Sequence, residues 1–170
     1  HIFSEAMDAG LASDGVLARS GAEARRLWRL REDMSESLAP LRPYKNDIAV
    51  RVSRMPDFLA ECEALVAERY PGFEVIWYGH IGDGNLHLNI LRPAEMSDAD
   101  FSRHCRDATA AIGELLQRFE GSVSAEHGVG LLKKSQLAYS RSPEELRLMR
   151  AMKSVFDPQH VLNPGKVFDL

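Results

Sequence analysis

A chain of 170 residues, 45% of them hydrophobic, can bury one sizeable core, and nothing in it argues for a second domain. The net charge of -4 arises from interspersed acids and bases without a basic stripe, which speaks against nucleic acid as a partner. No apolar run approaches the roughly 20 residues that span a bilayer, no signal-peptide pattern is visible, and Cys62 and Cys105 read as reduced thiols of a cytoplasmic protein rather than a disulfide framework.

Taken in order, residues 1 to 10 read as the remainder of a helix ending at Gly10, and the start at His1 inside that pattern suggests a fragment. Val16 and Leu17, after Ser13-Asp14-Gly15, suggest a short strand. From Ala22 to about Leu38 the spacing predicts an amphipathic helix with Leu27, Leu30, Met34 and Leu38 as its core stripe. Trp28, Arg31 and Ser35 lie one above another on a neighbouring face. Pro40 and Pro43 close this helix. Residues 45 to 52, KNDIAVRV, alternate as a strand whose core face is Ile48, Val50 and Val52. Pro56 then opens a helix reaching about Arg69, with Phe58, Leu59, Cys62, Leu65 and Val66 on its apolar face.

Residues 75 to 91, VIWYGHIGDGNLHLNIL, form the stretch that organises the rest. Asp83-Gly84 between two runs of β-formers predicts a tight two-residue hairpin turn. That turn would pair Gly82 with Asn85, Ile81 with Leu86, His80 with His87 and Tyr78 with Asn89. Val75, Trp77, Ile81, Leu86, Leu88 and Ile90 would face the core, and Tyr78, His80, His87 and Asn89 the opposite side. Two imidazoles on opposed residues, with Cα atoms roughly 4.5 to 5.5 Å apart, can converge on one metal ion. They can equally be ordinary stacked or hydrogen-bonded residues, with Gly79, Gly82 and Gly84 merely serving the turn.

The longest helical pattern follows at 98 to 119, with Phe101, Cys105, Ala108, Ile112, Leu115, Leu116 and Phe119 as its buried stripe and His104 on the surface. Gly121 to Ser124 should return to the sheet as a short strand or loop. It delivers SAEHGVG at 124 to 130, where Glu126 and His127 precede a predicted helix at 129 to 137 and Gly128 and Gly130 permit close backbone approach. Two His and one Glu form a common catalytic zinc shell with an open position, which makes His80, His87 and Glu126 candidate ligands. Lys133 and Lys134 read as solvent-facing. Ser142-Pro143-Glu144-Glu145 starts a last helix at 143 to 156, and FDPQHVLNPGKVF is an irregular closing segment. The antiparallel hairpin rules out a doubly wound parallel sheet. The expected fold class is α+β, an antiparallel sheet with a central β-hairpin and helices packed on one face.

YGHIGDGNLHLN, SAEHGVGLLKK, FDPQHVLNPGKVF and the LWRLRED segment at 27 to 33 together resemble the C-terminal substrate domain of the FAD-linked oxidases acting on D-2-hydroxy acids. That family includes D-lactate dehydrogenases, the glycolate oxidase flavoprotein subunit and D-2-hydroxyglutarate dehydrogenases. The resemblance implies that residues 1 to 170 are a single substrate- and metal-binding domain, truncated at its N-terminus, of an enzyme whose FAD-binding domain is a separate part of the same chain. It implies FAD for the whole protein and zinc, or another divalent metal, held by His80, His87 and Glu126. It also implies a small 2-hydroxy acid as substrate, with Arg31 and Lys45 on its carboxylate, Ser35 and Asn89 as further contacts, and His127 as general base.

From spacing alone, Arg31 is a solvated arginine beside Glu32 or Asp33 and Lys45 a snorkelling surface lysine; the resemblance gives both a role suited to their chemistry, since a guanidinium is a rigid bidentate fork. Oxidation of the hydroxy acid to the 2-oxo acid is the implied reaction, and this chain by itself is expected to be inactive. A free-standing zinc hydrolase using the same ligands, and a non-catalytic assembly domain, are the competing readings. Homodimer formation and a peripheral position at the inner membrane, through an electron-acceptor partner, stay open.

Overall fold

The structure, a computed structural model, describes residues 1 to 169. It divides into two compact units, His1–Pro40 and the chain from Leu41 onward. In the first, α1 (Ile2–Asp8) ends where Gly10 takes φ +68°. The Leu11 and Gly10 N–H groups return to the carbonyls of Ala6 and Met7, so the left-handed glycine closes the helix as its sequence predicts. No ladder forms at Val16 and Leu17; two residues are too few to hold a strand without a partner.

The helix expected over 22 to 38 is two helices, α2 (Gly21–Glu32), capped by the Ser20 side chain, and α3 (Met34–Leu38), broken apart at Asp33. Neither helix buries a residue, and Leu30 of the expected core stripe is 78% exposed. Periodicity marks an apolar face without supplying the surface that covers it. A 40-residue unit of short helices has too little apolar area to close over its own stripe.

The second unit is built on a three-stranded antiparallel sheet, with β1 (Tyr44–Ala49), β2 (Val75–Tyr78) and β3 (Asn85–Ile90) in the order β1-β3-β2. One face carries Ile48, Leu88 and Ile90, and α4 (Met55–Arg69) and α5 (Asp98–Arg118) bring Phe58, Cys62, Phe101, Cys105, Ala108, Ile112, Leu115 and Leu116 into the same core. This is the expected α+β fold with helices on one face. The α5 stripe is buried throughout, because a 21-residue helix with a consistent apolar period has only one way to face a sheet. His104, expected on the surface, is half-buried against the rings of Tyr70 and Phe73. No helix among the described residues is long and apolar enough to cross a membrane.

Three local expectations need correction. The first strand stops at Ala49, and Val52, expected in the core, is 49% exposed in a 3-10 turn. Its neighbour Val50 donates its N–H to the Gly84 carbonyl, so the chain leaves the ladder to close over the hairpin loop. The hairpin lacks a two-residue turn: β2 ends at Tyr78, which pairs with His87, while Ile76 pairs with Asn89. The register differs by two residues from the expected one, which preserves both faces but lifts His80 out of the ladder and leaves Ile81 72% exposed.

The cause is the wider connection from Gly79 to Gly84, with a 3-10 turn at Ile81–Asp83 and Gly84 left-handed at φ +70°. It is closed by the Asn85 side chain, whose Oδ1 accepts the His80 N–H at 2.5 Å. Finally, residues 129 to 137 are turns leading into a 3-10 run, Lys134–Tyr139, because Gly128 and Gly130 both take positive φ where a helix would begin. The last helix, α6 (Pro143–Phe156), carries the full reciprocal cap between Ser142 and Glu145.

Candidate metal and substrate site

The sheet face turned away from the helices carries the polar residues. Cross-strand pairing puts Lys45 beside Asn89, and Asp47 beside His87, with Tyr78 on the far side of His87 at a ring separation of 5.0 Å. Above them the chain arrives from α5 through a single bridge, Ala49 with Ser122, in place of a strand. That bridge sets the height at which Glu126 and His127 meet the hairpin. The Ala125 N–H donates to the Asp47 carbonyl at 3.3 Å and continues the approach.

Glu126 and His80 then face each other, Oε1 to Nδ1 at 3.0 Å. Asn85 makes a short hydrogen bond through Nδ2 to the same Glu126 oxygen, so one amide organises both the hairpin loop and the carboxylate. The His87 ring lies between those of His80 and His127, at 6.2 and 6.3 Å. Donor atoms of His80, His87 and Glu126 all fall within 4.8 Å of one another, and so do those of Asp47, His87 and His127. Two imidazoles and a carboxylate are the donor types zinc takes in open catalytic shells. The first group therefore fits a cation by both chemistry and proximity.

Asp47 is differently placed. Its Oδ2 accepts the backbone N–H groups of Glu126 at 3.0 Å and His127 at 3.2 Å, and its Oδ1 lies 3.3 Å from His87 Nδ1, off the line of a hydrogen bond. Burial would raise its pKa, but those two N–H groups, with the nearby Lys133 and His127, outweigh desolvation and hold the carboxyl below its ordinary value. Lys133, expected in solvent, is half-buried, and its ammonium donates to the carbonyls of Asp47 at 3.1 Å and Val123 at 2.9 Å. Desolvation pulls its pKa down, against the opposing pull of Asp47.

Of the residues singled out from sequence, His80, His87, Glu126 and His127 come together in the second unit, with Lys45 and Asn89 on the same sheet face. Asn89 is fully buried, its Nδ2 donating to the carbonyls of Ile76 and His87 while its Oδ1 has no hydrogen-bond partner. Arg31 and Ser35 belong to the first unit, where the Arg31 guanidinium lies 5.8 Å over the Trp28 ring and Ser35 sits beyond the break in α3. Asp47, Asn85 and Lys133 were missed. Alternation in KNDIAV sets Asp47 opposite Ile48 in facing, a usable signal for the first; nothing local marks the other two. A cleft of about 930 Å³ opens elsewhere, between the end of β1 and the start of α6. The site is located by its donor chemistry rather than by concavity.

Comparison with known proteins identifies the family. The family model described as "FAD linked oxidases, C-terminal domain" matches residues 2–167. A D-2-hydroxyglutarate dehydrogenase of Xanthomonas citri pv. viticola is 55% identical over 167 residues, covering 98% of this chain and 35% of that protein. One from Stutzerimonas stutzeri is 49% identical over 166 residues, covering 98% and 36% respectively, and the mitochondrial enzyme of Bos taurus is 38% identical over 167 residues, covering 97% and 29%. The chain thus spans about a third of the length of these relatives. With nearly every residue matched, the chain belongs to the family of FAD linked oxidases, as their C-terminal domain.

Proposed function

We propose that this chain is the substrate- and metal-binding part of an FAD-dependent dehydrogenase that oxidises a D-2-hydroxy acid to the 2-oxo acid. The observation that carries the reading is the convergence of His80, His87 and Glu126 donors beside His127, on the sheet face that also carries Lys45. The names of the similar proteins point to D-2-hydroxyglutarate as the substrate.

His80, His87 and Glu126 would hold zinc or another divalent ion. Bound there, the ion supplies Lewis-acid polarisation of the substrate hydroxyl, as it does for water, whose pKa it brings to about 7. His127, exposed and next in sequence to a ligand, takes the hydroxyl proton on its imidazole. Loss of that proton makes the α C–H a better hydride donor. On the sheet face Lys45 would bind carboxylate by charge, and within the first unit Arg31 offers a guanidinium suited to bidentate carboxylate binding, with Ser35 a hydroxyl. Asn89, buried in the sheet, is assigned to orienting that face through its Nδ2, which donates to the carbonyls of Ile76 and His87.

FAD, which the family description names, supplies the hydride acceptor. The glycine-rich GHIGDGN segment does not suit its phosphates, because it joins two antiparallel strands instead of a strand and a helix. We therefore assign FAD binding to another part of the longer protein. The test is calorimetric titration of the metal-stripped chain with zinc, beside His87→Ala. One-to-one binding weakened at least tenfold in the variant supports the site; equal or absent binding in both removes it.

A further inference from the structure

We propose that Asp47 is the positioning residue of this site, orienting His87 with one carboxylate oxygen and pinning the Glu126–His127 segment with the other, while Lys133 ties the Asp47 carbonyl to that of Val123. The inference rests on the metal site proposed above and adds a residue that contacts neither substrate nor metal.

The two oxygens of Asp47 have separate tasks. Oδ2 collects the N–H groups of Glu126 and His127 and so fixes the backbone that presents a ligand and the general base. Oδ1 is buried, without an aligned hydrogen bond, 3.3 Å from His87 Nδ1. A buried carboxylate oxygen left unpaired is costly, and a proton on His87 Nδ1 is the donor nearest to hand. With the proton there, Nε2 keeps its lone pair for a cation. This is the carboxylate–histidine arrangement by which an outer residue selects the tautomer of a ligand.

Asp47 could instead be a ligand itself, since its donors also lie within 4.8 Å of those of His87 and His127. Ligation through Oδ2 would sacrifice two backbone hydrogen bonds, and the side chain is only 8% exposed against 41% for Glu126. Lys133 completes the device. Its ammonium joins the Asp47 and Val123 carbonyls, tying β1 to the segment that leads to Glu126. Asp47 thus holds residues 126 and 127 through its side chain while its own carbonyl accepts from Ala125 and Lys133.

The experiment reads the His87 tautomer by ¹⁵N NMR in the metal-free chain at about pH 8, and zinc affinity in the same protein. Expected are an Nδ1–H tautomer in the parent and, in Asp47→Asn, whose amide can donate to Nδ1, a shift to Nε2–H with zinc binding about 10- to 100-fold weaker. An Nε2–H tautomer in the parent overturns the proposal without any variant having to fold. Zinc affinity unchanged in Asp47→Asn but lost in His80→Ala overturns Asp47 alone. Affinity unchanged in His80→Ala overturns the metal site, and the role of Asp47 with it.

Discussion

His80 and Glu126, 46 residues apart in sequence, meet with Nδ1 and Oε1 3.0 Å from each other, and Asn85 touches both. In the proposed metal site Glu126 would act through the charge of its carboxylate. Glu126→Gln preserves shape and removes the charge, so zinc affinity should fall by at least tenfold, measured by competition with a chromophoric chelator, while the far-UV circular dichroism stays unchanged.

Asn85 is itself buried, and its side chain accepts the His80 N–H and donates to Glu126. Asn85→Ala leaves both partners without that bond in a partly buried place. The expected cost is about 1–3 kcal/mol, read from the midpoint of urea unfolding at constant slope. A stability equal to that of the parent would show that the loop closes without the amide.

Gly84 takes φ +70°, and a Cβ there would run into the Val50 carbonyl oxygen; Gly128 takes φ +73° with open space around it. Gly128→Ala should cost only the left-handed backbone penalty, about 1–2 kcal/mol. Gly84→Ala should cost clearly more, because the carbonyl it strikes belongs to the residue whose N–H the loop itself accepts. Thermal unfolding of the two variants side by side decides the order.

Asp157 is buried where the closing segment turns back, accepting from Lys153, Leu162 and Val161, and these partners, Lys153 foremost, lower its pKa to about 2. Since the folded pKa lies below the unfolded value of about 3.9, the carboxylate stabilises the fold fully above that value. The contribution disappears as pH falls through about 2. Asp157→Asn should therefore unfold with a shallower pH dependence between about pH 4 and 2, measured by acid titration of the near-UV signal. A slope identical to that of the parent would remove the assignment.

Much of this molecule was readable because its signals are local. The α5 stripe from Phe101 to Phe119 and the cap at Ser142-Pro143-Glu144-Glu145 depend on residues within a few positions of one another, and both elements form where the pattern puts them. The two faces of the hairpin survived even though its register moved, because a slip of two residues leaves alternation intact. His80, His87, Glu126 and His127 could be named as one cluster for the same reason: their chemistry is in the residue types, and a hairpin followed by a returning segment has few places to bring them.

What the chain's own order could not reveal was decided by contacts between distant segments. Asp-Gly is compatible with a two-residue turn, yet the loop is wider because the Asn85 side chain and the Val50 N–H close it from outside. Lys133 looks like a surface lysine until the Asp47 and Val123 carbonyls are brought under it. The stripe of α2 is amphipathic by spacing and exposed in its own unit, since burial needs a second surface. Sequence alone determined the three longest helices of the second unit, the facing of the strands and the donor types of the site. Tertiary structure decided the register, the burial of charge and the orientation of each donor, because hydrogen-bond satisfaction of buried polar groups is settled only when segments far apart in the chain share one interior.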